Sequence, residues 1–140
     1  MSVILGILAL AAVPESTNVA ASSEGTAAIP VAEAEVERAA RDWLALEDGA
    51  RWRESWNATG KSFRELNTLE RWTEVAQKVR TPLGAVISRV TISQDRVPAP
   101  PAGVQVVKFR TSFANKADAL ETVSLAREGG SWRVVGIYIH

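Results

Sequence analysis

The sequence contains no cysteine, and its only histidine, His140, is the last residue. The absence of cysteine excludes disulfides, thiolate nucleophiles, iron–sulfur clusters and cysteine-ligated zinc. A histidine metal site or a Ser-His-Asp triad would have to form at the chain terminus, so we expect neither. No glycine-rich phosphate loop or metal-ligand spacing occurs either. The sequence therefore predicts no metal site, no catalytic residue and no cofactor.

The chain also lacks an excess of charge of either sign. Its 16 Lys and Arg balance 16 Asp and Glu, for a formal net charge of zero. Electrostatic binding to nucleic acid needs a basic surface, so we expect no nucleic-acid partner. Apolar residues make up 46% of the 140 residues, enough for the core of one domain.

Long apolar runs are absent, but a short one opens the chain at residues 3–13. It is too short to span a membrane, which takes about 20 residues. Its length is typical of the apolar region of a secretory signal. Val19 and Ala21 suit a cleavage site after Ala21, so we predict a signal peptide over residues 1–21 and a periplasmic or secreted product. The alternative is an apolar N-terminus that stays buried or disordered.

One feature is unusual for a signal. No Lys or Arg precedes Arg38, whereas signals normally begin with basic residues, and an upstream in-frame start would supply them. Residues 22–30, rich in Ala, Ser, Thr and Gly, are predicted to form a disordered linker. We expect one folded domain over residues 31–140.

The first half of that domain has helical spacing. Apolar residues recur three and four apart over residues 36–44, and again over residues 69–79 after a cap at Thr68. Trp52 and Trp56 lie four apart on a short helix between them. These patterns predict three to four helices.

The second half changes to a period of two, which predicts strands. Four such stretches follow one another, separated by a proline-rich loop and two turns: AVISRVTISQ, VQVVKFRTSF, KADALETVSLAR and WRVVGIYIH. Helices followed by consecutive strands indicate an α+β fold in which three to four N-terminal helices pack on a curved four-stranded antiparallel meander.

Several stretches together resemble the bacterial family called domain of unknown function 4019. They are WLALEDG, RTPLGAVISR, KFRTSFANKADALETVSL and WRVVGIYI, and the resemblance covers residues 36–140. It implies a small α+β domain of the NTF2-like or cystatin-like type, often exported. It implies no established activity.

Polar residues among apolar neighbours mark a candidate site on the sheet. With Asn115-Lys116 and Gly129-Gly130 as turns, Arg110, Glu121 and Tyr138 form one row across three strands. This row is interpreted either as a structural salt bridge with a neighbouring tyrosine, or as a pocket in which Arg110 binds an anionic or carbonyl group. A third alternative makes Glu121 a base and Tyr138 a donor, as in ketosteroid isomerases.

Both faces of the predicted sheet are substantially apolar. We expect the face that carries the row to turn toward the helices, and the other face to be a homodimer surface. That second face would carry Val107, Phe109, Phe113, Leu120, Val135, Ile137 and Ile139.

Four tryptophans, Trp43, Trp52, Trp56 and Trp72, lie in the helical half. Trp43 and Trp72 belong to apolar stripes and are predicted to be core. Charged residues surround Trp52 and Trp56, which makes them candidates for stacking on a flat ligand.

The sequence as a whole favours a non-enzymatic binding or assembly module of the cell envelope, as a homodimer. The alternative is a small-molecule binder or isomerase-like enzyme that uses Arg110, Glu121 and Tyr138.

Overall fold

The computed structural model describes the backbone of residues 3–5, and residues 31–99 and 103–140 in full. In this part of the chain, helices precede a four-stranded antiparallel meander, which confirms the predicted α+β fold. The predicted signal peptide lies outside the described residues except for residues 3–5, and the predicted linker, residues 22–30, lies wholly outside them. Signal and linker therefore stay predictions.

The helical half matches its predicted stripes. The helices are α1 (Val31–Asp48), α2 (Trp52–Asn57), α3 (Lys61–Leu66) and α4 (Leu69–Arg80), and a 3-10 turn follows at Thr81–Leu83. One face of α1 is buried through Val36, Ala40, Trp43, Leu44 and Glu47. Their spacing of three and four residues places them on a single stripe.

Helix α4 begins at its predicted cap. The Thr68 hydroxyl accepts a hydrogen bond from the backbone N–H of Arg71 at 3.3 Å, which satisfies one of the free donors of the first turn. Trp72, Ala76 and Arg80 form the buried stripe. The charged Arg80 thus continues an apolar stripe at a spacing of four.

The strands are β1 (Val3–Leu5), β2 (Val86–Val97), β3 (Val104–Phe113), β4 (Lys116–Glu128) and β5 (Ser131–Ile139). Their order in the sheet is β1-β5-β4-β3-β2, and all neighbours are antiparallel. The short β1 adds a fifth strand beside β5, within the segment that the sequence predicts to be a signal.

The core lies between the helices and one face of the sheet. Sheet residues that belong to it are Val107, Phe109, Val123, Leu125, Val134 and Ile137. Trp72 stacks at a tilt against Trp43, with ring centroids 5.9 Å apart, and meets Phe63 edge-on at 5.3 Å. Trp43 and Trp72 are 3% and 1% exposed, which confirms the prediction that they are core.

The helix-facing side of β3 is the one that the sequence analysis assigned to a dimer surface. Val107, Phe109 and Phe113 are all buried, so that assignment is wrong for this strand. Ile137 is also buried, contrary to prediction. For β4 the expectation is correct, since Val123 and Leu125 face the helices. We call the opposite side of β2–β5 the outer face.

Candidate functional site

The predicted row of Arg110, Glu121 and Tyr138 does not form. Arg110 lies opposite Leu120, while Glu121 lies opposite Phe109. Tyr138 lies opposite Thr122 on β4. Because neighbouring residues of a strand point to opposite sides, these one-residue differences separate Glu121 from the other two. Glu121 faces the helices and is 1% exposed, whereas Arg110 is exposed on the outer face.

The first reason why the predicted row does not form is the position of the turn between β3 and β4. The turn consists of Ala114 and Asn115, one residue earlier than predicted, so Phe113 lies opposite Lys116. A bulge then shifts the register between Thr111 and Phe113. The bulge makes the residues Ala119, Glu121, Val123 and Leu125 face the core.

The second reason is a bulge in the pairing of β4 with β5. The predicted Gly129-Gly130 turn is confirmed, and Leu125 lies opposite Val134 as expected. The next pair is Ser124 with Gly136, so Val135 is an extra residue on β5. A bulge of this kind leaves one residue unpaired and shifts every later pair by one. Glu121 therefore lies opposite Ile139 and not opposite Tyr138.

Glu121 instead belongs to a buried ion network. Its carboxylate accepts hydrogen bonds from Arg89 Nε at 2.8 Å and from Arg89 Nη2 at 3.3 Å. The Thr111 hydroxyl donates to the same carboxylate. Both carboxylate oxygens are thus paired, and the negative charge is compensated inside the core.

Asp48, at the end of α1, extends this network to a second arginine. It accepts from Arg89 at 2.8 and 3.0 Å and from Arg80 Nη2 at 3.2 Å. Arg80 also donates to the carbonyl of Gly84 at 2.6 Å, and its guanidinium lies 4.6 Å from the ring centre of Phe113. Gly84 has a φ of 77°, a left-handed conformation that glycine adopts without strain.

The network holds two carboxylates and two guanidinium groups, so its charges balance. Burial alone would lower the pKa of Arg89, but the hydrogen bonds to Asp48 and Glu121 raise it above its ordinary value. Arg89 therefore stays charged, and the network joins α1, α4, β2 and β4. We call Asp48, Arg80, Arg89 and Glu121 the ion network.

Glu47 lies beside the ion network but does not share its pairing. Its side chain is 7% exposed, and Oε1 has no hydrogen-bond partner among the described residues. Burial raises the pKa of Glu47 to about 7, with a smaller lowering effect from Ser55 and a raising effect from Asp48. Glu47 is thus a carboxyl group that gains or loses its proton near neutral pH.

A small cavity of about 20 Å³ adjoins this carboxyl group. Its walls come from α1, α4 and β5, and they are Glu47, Trp72, Ala76, Val79, Arg80, Ile137 and Ile139. Arg80 Nε is the second buried polar atom here without a partner among the described residues. The cavity is therefore lined by apolar residues and by two polar residues, each of which has one buried atom without a partner among the described residues.

The comparison with known families covers this site except for Ile139. Residues 39–137 match the family described as Protein of unknown function (DUF4019). The chain belongs to this family. No curated protein matches the chain. Glu47 and all four residues of the ion network lie within the matched range, so they belong to the DUF4019 domain itself.

Trp52 and Trp56, the predicted stacking residues, lie in a different part of the DUF4019 domain. Trp52 lines an open groove of about 410 Å³ with Arg51, Arg53, Glu54, Leu69 and Thr73, among other residues. Trp56 is half-buried, and its Nε1 donates to the carbonyl of Asn67 at 2.7 Å. Both rings also pack against the core. Arg110, Glu121 and Tyr138 do not line that groove, and a ligand role for the two tryptophans stays a prediction.

Two further features bear on the class of site. Within residues 31–99 and 103–140, the structure brings together no group of three His, Asp or Glu side chains suited to a metal ion. None of the helices described is long and apolar enough to cross a membrane.

Sequence reasoning missed Glu47, Asp48, Arg80 and Arg89. A signal for two of them was present: Glu47 follows Trp43 by four residues, and Arg80 follows Ala76 by four, so both continue buried stripes. Charged residues at such positions are buried only when they are paired or neutralised. Arg89 carries no comparable signal, because its partners are far away in the sequence.

Proposed function

We propose that this DUF4019 protein is a non-enzymatic binding or assembly module of the cell envelope that pairs with a second copy of itself through the outer face of the sheet. The observation that carries the proposal is the composition of that face. The described helices pack on the other side, yet the outer face still holds the apolar residues Val90, Val104, Val106, Leu120 and Tyr138.

The apolar side chains are interleaved with charged ones in rows that run across the strands. One row is Val90, Arg110 and Leu120, and the next is Ser93, Lys108, Thr122 and Tyr138. Val90 is 59% exposed, and Ile92, bulged out of β2, is 47% exposed. Contiguous clusters of exposed apolar residues on a protein surface often mark interaction sites.

The charges favour a second copy as the partner. Arg110 lies toward one end of the outer face and Asp95 toward the other, opposite Val106, with Lys108 between them. A two-fold axis that lies in the interface and runs across the strands reverses their direction, so the basic end of one copy meets the acidic end of the other. Strand spacing gives the face dimensions of roughly 20 Å by 30 Å, close to the roughly 800 Å² per partner that stable interfaces bury.

The predicted signal peptide supports the envelope location, and the helix–meander arrangement supports an NTF2-like or cystatin-like type. Export is tested by N-terminal sequencing of protein recovered from the periplasm or the medium. We expect the mature chain to begin at Ser22. Protein found only in the cytoplasm, with residues 1–21 retained, would contradict the export proposal and would leave the dimer proposal unaffected.

The dimer is tested by sedimentation velocity over a wide concentration range. We expect the wild type to approach twice the monomer mass and Leu120→Glu to stay monomeric, because the new carboxylate would be buried against the partner. Leu66→Glu is the matched control, since Leu66 is 69% exposed on α3 and is not part of the outer face. A wild type that stays monomeric at every concentration would remove the dimer proposal.

The isomerase-like alternative lacks the arrangement of side chains that it requires. It requires Glu121 as a free base beside Tyr138, whereas Glu121 is paired with Arg89 and Thr111 and faces the other side of the sheet.

A further inference from the structure

Glu47 and Arg80 face the same small cavity, and each brings one polar atom that nothing else in the described residues satisfies. The atoms are Glu47 Oε1 and Arg80 Nε. Both side chains are more than nine-tenths buried, at 7% and 6% exposure. Buried polar atoms without partners are rare in native proteins, so two of them on residues that line one cavity point to an occupant.

The two side chains do not satisfy each other directly. No nitrogen of Arg80 lies within 4.0 Å of a Glu47 oxygen, whereas Arg80 does form a salt bridge with Asp48 at 3.2 Å. The other nitrogens of Arg80 are engaged with Asp48 and Gly84. Polar groups that lie just beyond hydrogen-bond distance can be bridged by a small molecule, most often a water, that bonds to both.

The size and walls of the cavity define what fits. Its volume of about 20 Å³ holds one water-sized group, since a single water needs about 10–15 Å³. The remaining walls, Trp72, Ala76, Val79, Ile137 and Ile139, are apolar. Val79 and Ile139 are half-buried, so the chamber opens between α4 and β5.

We propose that this cavity is a hydroxyl-binding site, in which the occupant donates a hydrogen bond to Glu47 Oε1 and accepts one from Arg80 Nε. A hydroxyl group is the smallest neutral group that does both. A cation would be repelled by the charged Arg80, and an anion that carries no proton could not donate a hydrogen bond to Glu47, so a neutral occupant fits best. The hydroxyl belongs either to a water molecule or to the end of a slender organic molecule whose apolar chain leaves between Val79 and Ile139.

This site is independent of the proposed dimer. The cavity lies on the helix-facing side of the sheet, whereas the dimer uses the outer face. Either proposal can fail while the other stands, because sedimentation does not sense the cavity and the probes below do not sense the outer face.

The first experiment uses NMR on the full chain, with labelled methyl groups of Ala76, Val79, Ile137 and Ile139. The probes are 1-propanol and 1-chloropropane, which match in length but differ in the hydroxyl. Saturable shifts with 1-propanol that are at least fivefold weaker with 1-chloropropane, and that Glu47→Leu abolishes, support an organic hydroxyl. If 1-propanol causes no saturable shifts and a water cross-peak appears at the Ala76 methyl group, the occupant of the cavity is water. Equal responses to both probes, or neither shifts nor a water cross-peak, would overturn the proposal.

The second experiment fills the cavity and reads thermal stability. In an occupied polar site, Ala76→Val expels the hydroxyl and leaves both polar atoms unpaired, so we expect the melting temperature to fall by about 4–8 °C. In the Glu47→Leu background, Ala76→Val should lower the melting temperature by less than half as much, because a leucine side chain needs no hydrogen-bond partner. A dry cavity predicts the opposite, since filling it would raise the melting temperature in both backgrounds. Glu47→Gln, which keeps the shape and polarity, is the control for folding.

Discussion

Arg89 on β2 reaches across β3 to Glu121 on β4, with Nε at 2.8 Å from Oε1. The strand between them contributes the Thr111 hydroxyl to the same carboxylate. The contact therefore joins three strands on the helix-facing side. Because a slip of one residue would turn Glu121 to the outer face, this pair fits only one register of the sheet.

The first prediction concerns the charge of Glu121. Glu121→Gln keeps the shape of the side chain but removes the charge that compensates Arg89, which is 9% exposed in its side chain. Breaking one side of a buried ion pair costs about 3 kcal/mol in the free energy of unfolding, to be measured by urea denaturation.

The matched control for this variant is Glu74→Gln. Glu74 pairs with Lys78 at 3.1 Å on the surface of α4, where both side chains are more than 60% exposed. Exposed pairs contribute about 0–1 kcal/mol, so we expect little change. Equal losses of unfolding free energy in the two variants would show that the buried Arg89 does not need the negative charge of Glu121.

The second prediction concerns pH and Glu47. Its pKa is raised from 4.5 to about 7, so the folded state binds the proton more tightly than the unfolded state does. The stability contribution of this proton is fully present below pH 4.5, and it is lost as the pH rises through 7. The full loss is about 3 kcal/mol by linkage.

This pH dependence is isolated by comparison with Glu47→Gln, which has no titrating group. The difference in unfolding free energy between wild type and variant, measured from pH 4 to pH 9, should slope between pH 4.5 and 7 and be flat above. The nearby charges of Asp48, Arg80 and Glu121 are present in both proteins. A flat difference across the whole range would mean that the pKa of Glu47 is ordinary.

The third prediction concerns Ser55, which connects Trp72 of the core to the backbone of Trp52. Its hydroxyl accepts from Trp72 Nε1 at 3.0 Å and donates to the Trp52 carbonyl at 2.8 Å. Ser55→Ala leaves the buried indole N–H without a partner, so we expect a loss of about 1–2 kcal/mol in unfolding free energy. Ser62→Ala, at an exposed position of α3, should change stability by less than about 0.5 kcal/mol. A loss no larger than that of the control would indicate that the indole N–H finds another partner.

The fourth prediction tests the register with engineered disulfides, which the absence of native cysteine makes unambiguous. Leu120 exchanges both backbone hydrogen bonds with His140, so it meets Arg110 as a non-hydrogen-bonded pair with close side chains. The double variant R110C/L120C should therefore oxidise to a disulfide. The double variant R110C/E121C should keep free thiols, because its side chains lie on opposite faces.

Intact mass with and without a thiol-alkylating reagent distinguishes the two variants. A disulfide in R110C/E121C with free thiols in R110C/L120C would favour the register predicted from the Asn115-Lys116 turn. It would also return Glu121 to the outer face beside Arg110.

Local sequence patterns alone predicted the helices, the four strands β2–β5 and their order, but not β1. Apolar spacing located α1 and α4, Thr68 located the start of α4, and Gly129-Gly130 located the last turn. These signals are local: each depends on residues within one or two turns of the chain, and local preferences act the same way in any fold. The family resemblance, which uses the same stretches, was also confirmed over residues 39–137.

Which side chains meet depends instead on packing across the whole domain. The bulge at Val135 buries Ile137, where an unbroken alternation from Val134 would have turned Gly136 and Tyr138 toward the helices. Burying an isoleucine stabilises the fold more than burying a tyrosine whose hydroxyl needs a hydrogen-bond partner. The difference arises only because helices cover this face of the sheet. One extra residue reverses every side chain beyond it, so the pairing of Arg89 with Glu121 follows from packing across the whole domain and not from any short stretch of sequence.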